Sequence, residues 1–155
     1  MNSDSVLMLD TNLLLLLIVG LVDTNYVGRK RTNGYTKNDH ALLLEITDNF
    51  TKFIITPNIA TETSNFLGQI FEKRYLVRAR EILGNTMSSW NEIFISGKDA
   101  VEDHEFTRLG LADTVILIAA KEDVIVLTDD FPLHKLLLSR GLKTENFTSL
   151  RDFEN

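Results

Sequence analysis

The sequence predicts an α/β fold, and three observations carry that prediction. Short, mostly apolar runs, Val6 to Leu9, Phe53 to Thr56, Glu92 to Ile95 and Val124 to Leu127, suit buried strands and are too short for helices of their own. Longer stretches with helical spacing separate them. Two of the runs stop on acids, Leu9 on Asp10 and Leu127 on Thr128-Asp129-Asp130, which places carboxylates at the carboxyl edge of strands, where ligands collect in open α/β sheets.

The length of 155 residues suits one domain, 1–155, and a chain of this size buries roughly 70% of its unfolded surface without staples. Because the sequence holds no cysteine, disulfides and thiolate metal sites are excluded, a cytoplasmic home is expected, and any metal must sit on oxygen or histidine. Leu13 to Val22 is nearly all apolar, yet it falls short of the ~20 residues of a membrane span and lacks a basic n-region, so a core helix and no membrane contact are expected. Net charge is −6, which at first disfavours a nucleic-acid partner. Setting aside four of the 22 acids as members of one site leaves 18 against 16 bases, or −2, so divalent cations could neutralise much of the surplus locally.

Taken in order, Asp10-Thr11-Asn12 forms a tight polar turn between the first strand and an apolar helix beginning near Leu13. Asp23 to Lys37 has loop chemistry and carries Arg29-Lys30-Arg31, either a solvated charge run or a loop that grips phosphate. Asn38 or Asp39 caps the next helix, which ends before the second strand. Pro57 then opens a helix with Glu62 in its first turns, close to Asp10 if the two strands are neighbours.

Phe71 to Trp90 reads as a helix with an apolar stripe of Tyr75, Leu76, Ala79, Ile82, Leu83 and Met87; Lys73, Arg74, Arg78 and Arg80 lie off it, as a solvated or an RNA-contacting face. After a third strand at Glu92 to Ile95, Asp99 to Arg108 reads as helix. Gly110 interrupts it, and Asp113 stands out at the front of the apolar segment Leu111 to Ala120, either favouring the helix dipole or serving a site. Phe131 to Arg140 is the last clear helix, ended by Gly141, and Lys143 to Phe147 is a weak edge strand. His40, His104 and His134 show no ligand spacing and read as helix-surface or packing residues. Glu102, Asp103 and Glu105 read as a solvated acidic face, and Trp90 and Tyr75 as core or interface residues rather than base-stacking platforms.

Four carboxylates in one pocket, Asp10, Glu62, Asp113 and Asp130, stay ionised together only if cations compensate. Mg²⁺ or Mn²⁺ suits such oxygen donors, binding through a few carboxylates and water and leaving room for a phosphodiester.

These residues resemble the PIN-domain nucleases. The likeness rests on Leu9-Asp10-Thr11-Asn12, on Thr56-Pro57 with Glu62 five positions later, on Gly110-Leu111-Ala112-Asp113, and on Thr128-Asp129-Asp130-Phe131. It spans Val6 to about Phe147. The resemblance implies a three-layer α/β/α sandwich with a central parallel sheet of four to five strands, and Mg²⁺- or Mn²⁺-dependent endoribonuclease activity. By it, Asp10, Glu62, Asp113 and Asp130 form the acidic quartet, with Asp129 as the adjacent candidate ligand. Thr11 and Asn12 shape the turn, and Asn12 or Thr128 orients a carboxylate or water. Arg29, Lys30, Arg31, Arg74 and Arg78 are expected to guide the RNA backbone. The family includes toxins held by antitoxins, so an antitoxin partner and a homodimer are further expectations; the long basic loop departs from compact toxin-type members.

Two rivals remain. A haloacid-dehalogenase-like phosphatase needs an acid two positions after its first Asp, where this chain has Asn12. A catalytically silent PIN-like adaptor would work through protein or RNA binding, and would show no Mn²⁺ binding that depends on Asp10 and Asp113.

Overall fold

A computed structural model describes residues 4–154. Its five strands are β1 (Val6–Leu9), β2 (Lys52–Ile55), β3 (Asn91–Glu92), β4 (Val124–Thr128) and β5 (Lys143–Asn146), and they form one all-parallel sheet in the order β3-β2-β1-β4-β5. The helices are α1 (Thr11–Val22), α2 (Lys37–Asp48), α3 (Pro57–Ile70), α4 (Lys73–Ser89), α5 (Gly97–Ala100), α6 (Phe106–Leu109), α7 (Leu111–Ala119), α8 (Phe131–Ser139) and α9 (Phe147–Glu154). The expected α/β/α sandwich is present.

The order follows from chain chirality. From β1 the chain steps outward through β2 to β3, then crosses to the far side of β1 for β4 and β5. Right-handed crossovers put the helices of the first set on one face and those of the second on the other. Accordingly α1 packs against α2, α3 and α4, while α8 covers β4 and β5. The direction of winding reverses between β1 and β4, and the helices that follow those strands diverge there. Such a switch point leaves a crevice at the carboxyl edge.

Burial explains the composition of the central elements. All four residues of β1 are buried, as in a strand covered on both faces, and Leu13 through Gly20 of α1 are buried all round because three helices and the sheet enclose them. α1 has 12 residues, about 18 Å of helix, well short of the ~30 Å hydrocarbon core. Among the described residues no helix is long and apolar enough to cross a membrane. At the opposite extreme, β5 alternates exposed Lys143 and Glu145 with buried Thr144 and Asn146, the pattern of a charged edge strand.

Four expectations need correction. The N-cap of α2 is Thr36, whose side chain accepts from Asp39 N in a capping box, so Asn38 and Asp39 lie inside the helix rather than capping it. The third strand is only Asn91–Glu92, not Glu92 to Ile95. Its neighbour β2 ends at Ile55, Thr56 turns to cap α3 and Pro57 has no N–H, so after Ile93 N donates to Ile55 O the edge offers nothing further to pair with. The segment Asp99 to Arg108 is two short helices rather than one. Asp103 breaks it: its Oδ1 accepts from Glu105 N, and both its oxygens take hydrogen bonds from Arg140 at 2.8 and 3.0 Å. Those bonds from Arg140 hold the Asp103 carboxyl down at about 2, so this member of the acidic run is a structural ion pair and not a solvated charge. Finally, the Phe71 to Trp90 helix is α4 alone, because Phe71 caps α3 and is buried, while Trp90 lies past the end and stacks on Phe53.

Candidate active site

β1 ends and α1 begins with one intervening residue, Asp10. Its Oδ1 accepts from Leu13 N at 3.0 Å as the N-cap of α1, a role worth about 1 kcal/mol, and its second oxygen faces the end of β4. There the Thr128 hydroxyl donates to Oδ2, and Asp129 N donates to the same oxygen at 3.2 Å. One carboxylate thus ties together the two strands that flank the switch point. Asp10 is only 5% exposed. Burial, helped by the charge of Asp129, raises its carboxyl to about 7.

Asp129 and Asp130 divide the far side of the crevice between them. Burial pushes Asp129 up as well, against the lowering influence of the Asn12 side chain, and its ionisation is coupled to that of Asp10. The Tyr35 hydroxyl donates to Asp129 Oδ2. Asp130 caps α8 through Leu133 N at 2.9 Å, and its own N–H donates to Thr128 Oγ1 at 3.0 Å. Thr128 therefore relays between Asp10 and the Asp130 backbone.

The other two acids come from helix fronts. Glu62 lies in the second turn of α3 and accepts from Thr11 Oγ1 at 2.9 Å, which pins α3 to the start of α1. Asp113 lies in the first turn of α7, entered through Gly110 at φ +82, a conformation that suits glycine. Burial first, then the charges of Asp130 and Glu62, raise the Asp113 carboxyl to about 6. The electrostatic contacts run in series from Asp10 to Asp129, Asp130, Asp113 and Glu62.

All five candidate acids thus form one electrostatic series at the carboxyl edge of the sheet, with Asp129 acting on Asp10 and Asp130 on Asp113. They are neighbours rather than a closed shell. Among the described residues no three Asp, Glu or His side chains form a ready-made ligand set, and the hydrogen bonds above hold Asp10 and Glu62 on the Thr128 and Thr11 hydroxyls. Thr11 and Thr128 are supporting residues in a literal sense, and Asn12, exposed, acts on Asp129.

The basic candidates are distributed along a different line. Arg31 stacks over Phe66 of α3 with its guanidinium 4.2 Å from the ring centroid, and donates to Gln69 Oε1 at 2.9 Å. Lys30 Nζ donates to Gln69 O at 2.8 Å, and Arg29 lies 4.9 Å from the Tyr26 ring. Arg74 and Arg78 are both exposed on α4, Arg78 3.8 Å from Glu81. Lys30 and Arg31 thus lie against the second half of α3 and Arg29 over Tyr26, all three at exposed positions.

Sequence reasoning missed Tyr35. It lies in the loop before α2, is 8% exposed, and carries no pattern that announces a hydroxyl aimed at an acid. Arg151 stands 5.5 Å from its ring and donates to both oxygens of Asp39, so α9 and the cap of α2 hold Tyr35 from behind. His40 is buried, its Nε2 3.1 Å from Leu17 O, and His134 Nδ1 lies 3.1 Å from Thr144 Oγ1; both are packing residues as expected.

No protein-family model matches this chain, and no curated protein matches it at a significant level.

Proposed function

We propose that this protein is a divalent-metal-dependent endoribonuclease whose centre is the carboxylate crevice between β1 and β4. One observation carries the reading: five acids from four separate segments converge at the topological switch point, and burial and mutual repulsion raise Asp10 to about 7 and Asp113 to about 6. A structural role for each acid does not account for that cost. Two of them cap helices, but a cap needs neither a second carboxylate beside it nor burial.

The donor chemistry fits Mg²⁺ or Mn²⁺. The groups facing the crevice are carboxylate oxygens, hard donors, in a setting where excess negative charge calls for a cation. Asp10, Glu62, Asp113 and Asp130 would hold it, with Asp129 adjacent. Bound there, the ion supplies Lewis-acid stabilisation to the phosphoryl oxygens and makes attacking water more acidic.

The chain's own residues do the rest. Thr128 and Thr11 fix the rotamers of Asp10 and Glu62, so a ligand oxygen is aimed before substrate arrives. Tyr35 restrains Asp129 in the same way. Lys30 and Arg31, laid along α3, and Arg29, over Tyr26, offer positive charge to an RNA backbone approaching an otherwise acidic surface.

The test is cleavage of defined single-stranded RNAs by metal-stripped protein with Mn²⁺ added or with EDTA, run beside Asp10→Asn and Asp113→Asn prepared identically. Mn²⁺-dependent cutting that both substitutions abolish supports the reading. Cutting that survives EDTA or either substitution contradicts it, and RNA binding without cutting points to the silent adaptor.

A further inference from the structure

Besides the crevice, a second concave feature gathers three of the chain's basic residues. A cavity of about 540 Å³ lies where α3 ends and α4 begins, walled by Tyr26, Tyr75, Lys30, Lys73, Arg74 and Glu72, with Ile70 also lining it. Three cations face one acid there, in a protein of net charge −6. The two tyrosines pack with ring centroids 5.6 Å apart, both resting on Phe71, and both are half-buried.

The backbone at this cavity is unusual. Among the described residues only two non-glycine residues have positive φ, Lys30 at +45 and Lys73 at +52, and both line it. Lysine gains nothing locally from the left-handed region, which glycine would occupy at less cost. Strain of this kind collects where side chains must be held in place for a ligand.

Position connects the cavity to the crevice. Glu62, Phe66 and Ile70 follow one another at four-residue intervals on a single face of α3, so about 12 Å of helix separates the acid from the cavity. Arg31 lies over Phe66, midway. A strand crossing from one to the other passes Arg31 before it reaches the cations of the cavity.

We infer that the Tyr26–Tyr75 cavity is a subsite for one nucleotide of single-stranded RNA, the base resting against a tyrosine and the phosphate between Lys30, Lys73 and Arg74, a role for half-buried Tyr75 that replaces the core or interface role expected from the sequence. Aromatic rings beside cations suit an unpaired base joined to a phosphate; a duplex, whose bases are stacked inside, cannot use them. The inference rests on the proposed ribonuclease reading only for the direction of the bound strand.

The experiment measures anisotropy of a labelled short oligo-uridylate with full-length protein in EDTA, where no metal-dependent cleavage occurs. Wild type is expected to bind it at least tenfold more tightly than the equivalent duplex. Arg74→Glu and Lys73→Glu, both at exposed positions, should weaken binding tenfold or more and flatten its salt dependence. Tyr75→Ala should weaken it with the salt slope kept, and Tyr75→Phe should restore it. Lys73→Gly separates function from folding: melting temperature should hold or rise as the strained position relaxes, while binding falls. Uridine monophosphate should compete better than inorganic phosphate. The inference is overturned if wild type does not bind the oligonucleotide, if duplex, phosphate or poly-glutamate competes equally well, or if the Arg74, Lys73 and Tyr75 variants bind like wild type. Should binding follow the cavity while Mn²⁺ brings no cleavage, the subsite stands and the nuclease reading fails; should Mn²⁺ bring cleavage while the variants bind unaltered, the nuclease reading stands and the subsite fails.

Discussion

The hydroxyl of Thr128, the last residue of β4, donates to the carboxylate of Asp10, the residue after β1. The two strands are adjacent and parallel, so this bond closes the crevice at the place where the fold changes direction. Thr128 also accepts from Asp130 N, which makes it the joint between acids on both walls. Thr128→Val keeps the shape and removes the joint. Metal affinity should fall about 10–100-fold, as for other residues that orient a ligand without touching the ion, as read by Mn²⁺ titration; unchanged affinity would show that Asp10 needs no such support.

Asp10→Asn should abolish cleavage by roughly a thousandfold or more, since losing several kcal/mol of metal-centred stabilisation at ~1.4 kcal/mol per tenfold is of that order. Its effect on stability is a balance. The amide still caps α1 and removes a buried charge, but its nitrogen faces the Thr128 hydroxyl and Asp129 N–H, which need an acceptor. A melting temperature close to that of wild type is expected, and a collapse of the fold would assign Asp10 to structure first.

Stability should depend on pH with a definite sign. Asp10 and Asp113 have folded-state values of about 7 and about 6, above the ordinary 3.8, so between about pH 4 and pH 7 the folded molecule holds protons that the unfolded chain has released. Their contribution is full at the acidic end and is lost as pH rises through 6 and 7. His40, kept neutral by burial, acts in the opposite sense below its ordinary value, so the informative quantity is wild type minus Asp113→Asn. That difference in metal-free melting temperature should shift against wild type as pH rises from 5 to 8, and Mn²⁺ should remove the shift; a difference independent of pH would contradict the raised value of Asp113.

Much of this was legible in the residues. The strand ends at Asp10 and Asp129, the Pro57 helix with Glu62 and the Gly110–Asp113 junction each pair a local structural signal with an acid, and the sheet brings them together. Legibility failed where tertiary partners decide. β3 stops early because β2 has turned into α3, the 99–108 segment breaks because Arg140 takes Asp103, and Tyr35 reaches Asp129 through a loop whose path depends on Arg151 and Asp39. The basic triplet Arg29-Lys30-Arg31 announced charge but not its seat on Tyr26, Phe66 and Gln69.

Gly20 tests the packing beneath the site. A Cβ there would overlap the imidazole of His40, whose Nε2 is tied to Leu17 O inside the helix layer. Gly20→Ala should therefore cost about 1–3 kcal/mol in urea unfolding, the usual effect of overpacking, despite alanine's better helix propensity; a stabilised variant would mean that His40 moves freely.

Tyr35→Phe removes one hydroxyl and leaves the ring between Phe147 and Arg151. The loss of a hydrogen bond to a charged partner should lower stability by about 1 kcal/mol or more and metal affinity by about tenfold, measured by melting and Mn²⁺ titration; neither change would confine Tyr35 to packing.

The most direct measurement is a calorimetric titration of metal-stripped wild-type protein with Mn²⁺, beside Asp10→Asn and Asp113→Asn. Saturable binding to wild type, weakened at least tenfold in both variants, is the expected result. Absence of saturable binding, or binding that neither substitution alters, would contradict a divalent-cation site at the crevice between β1 and β4.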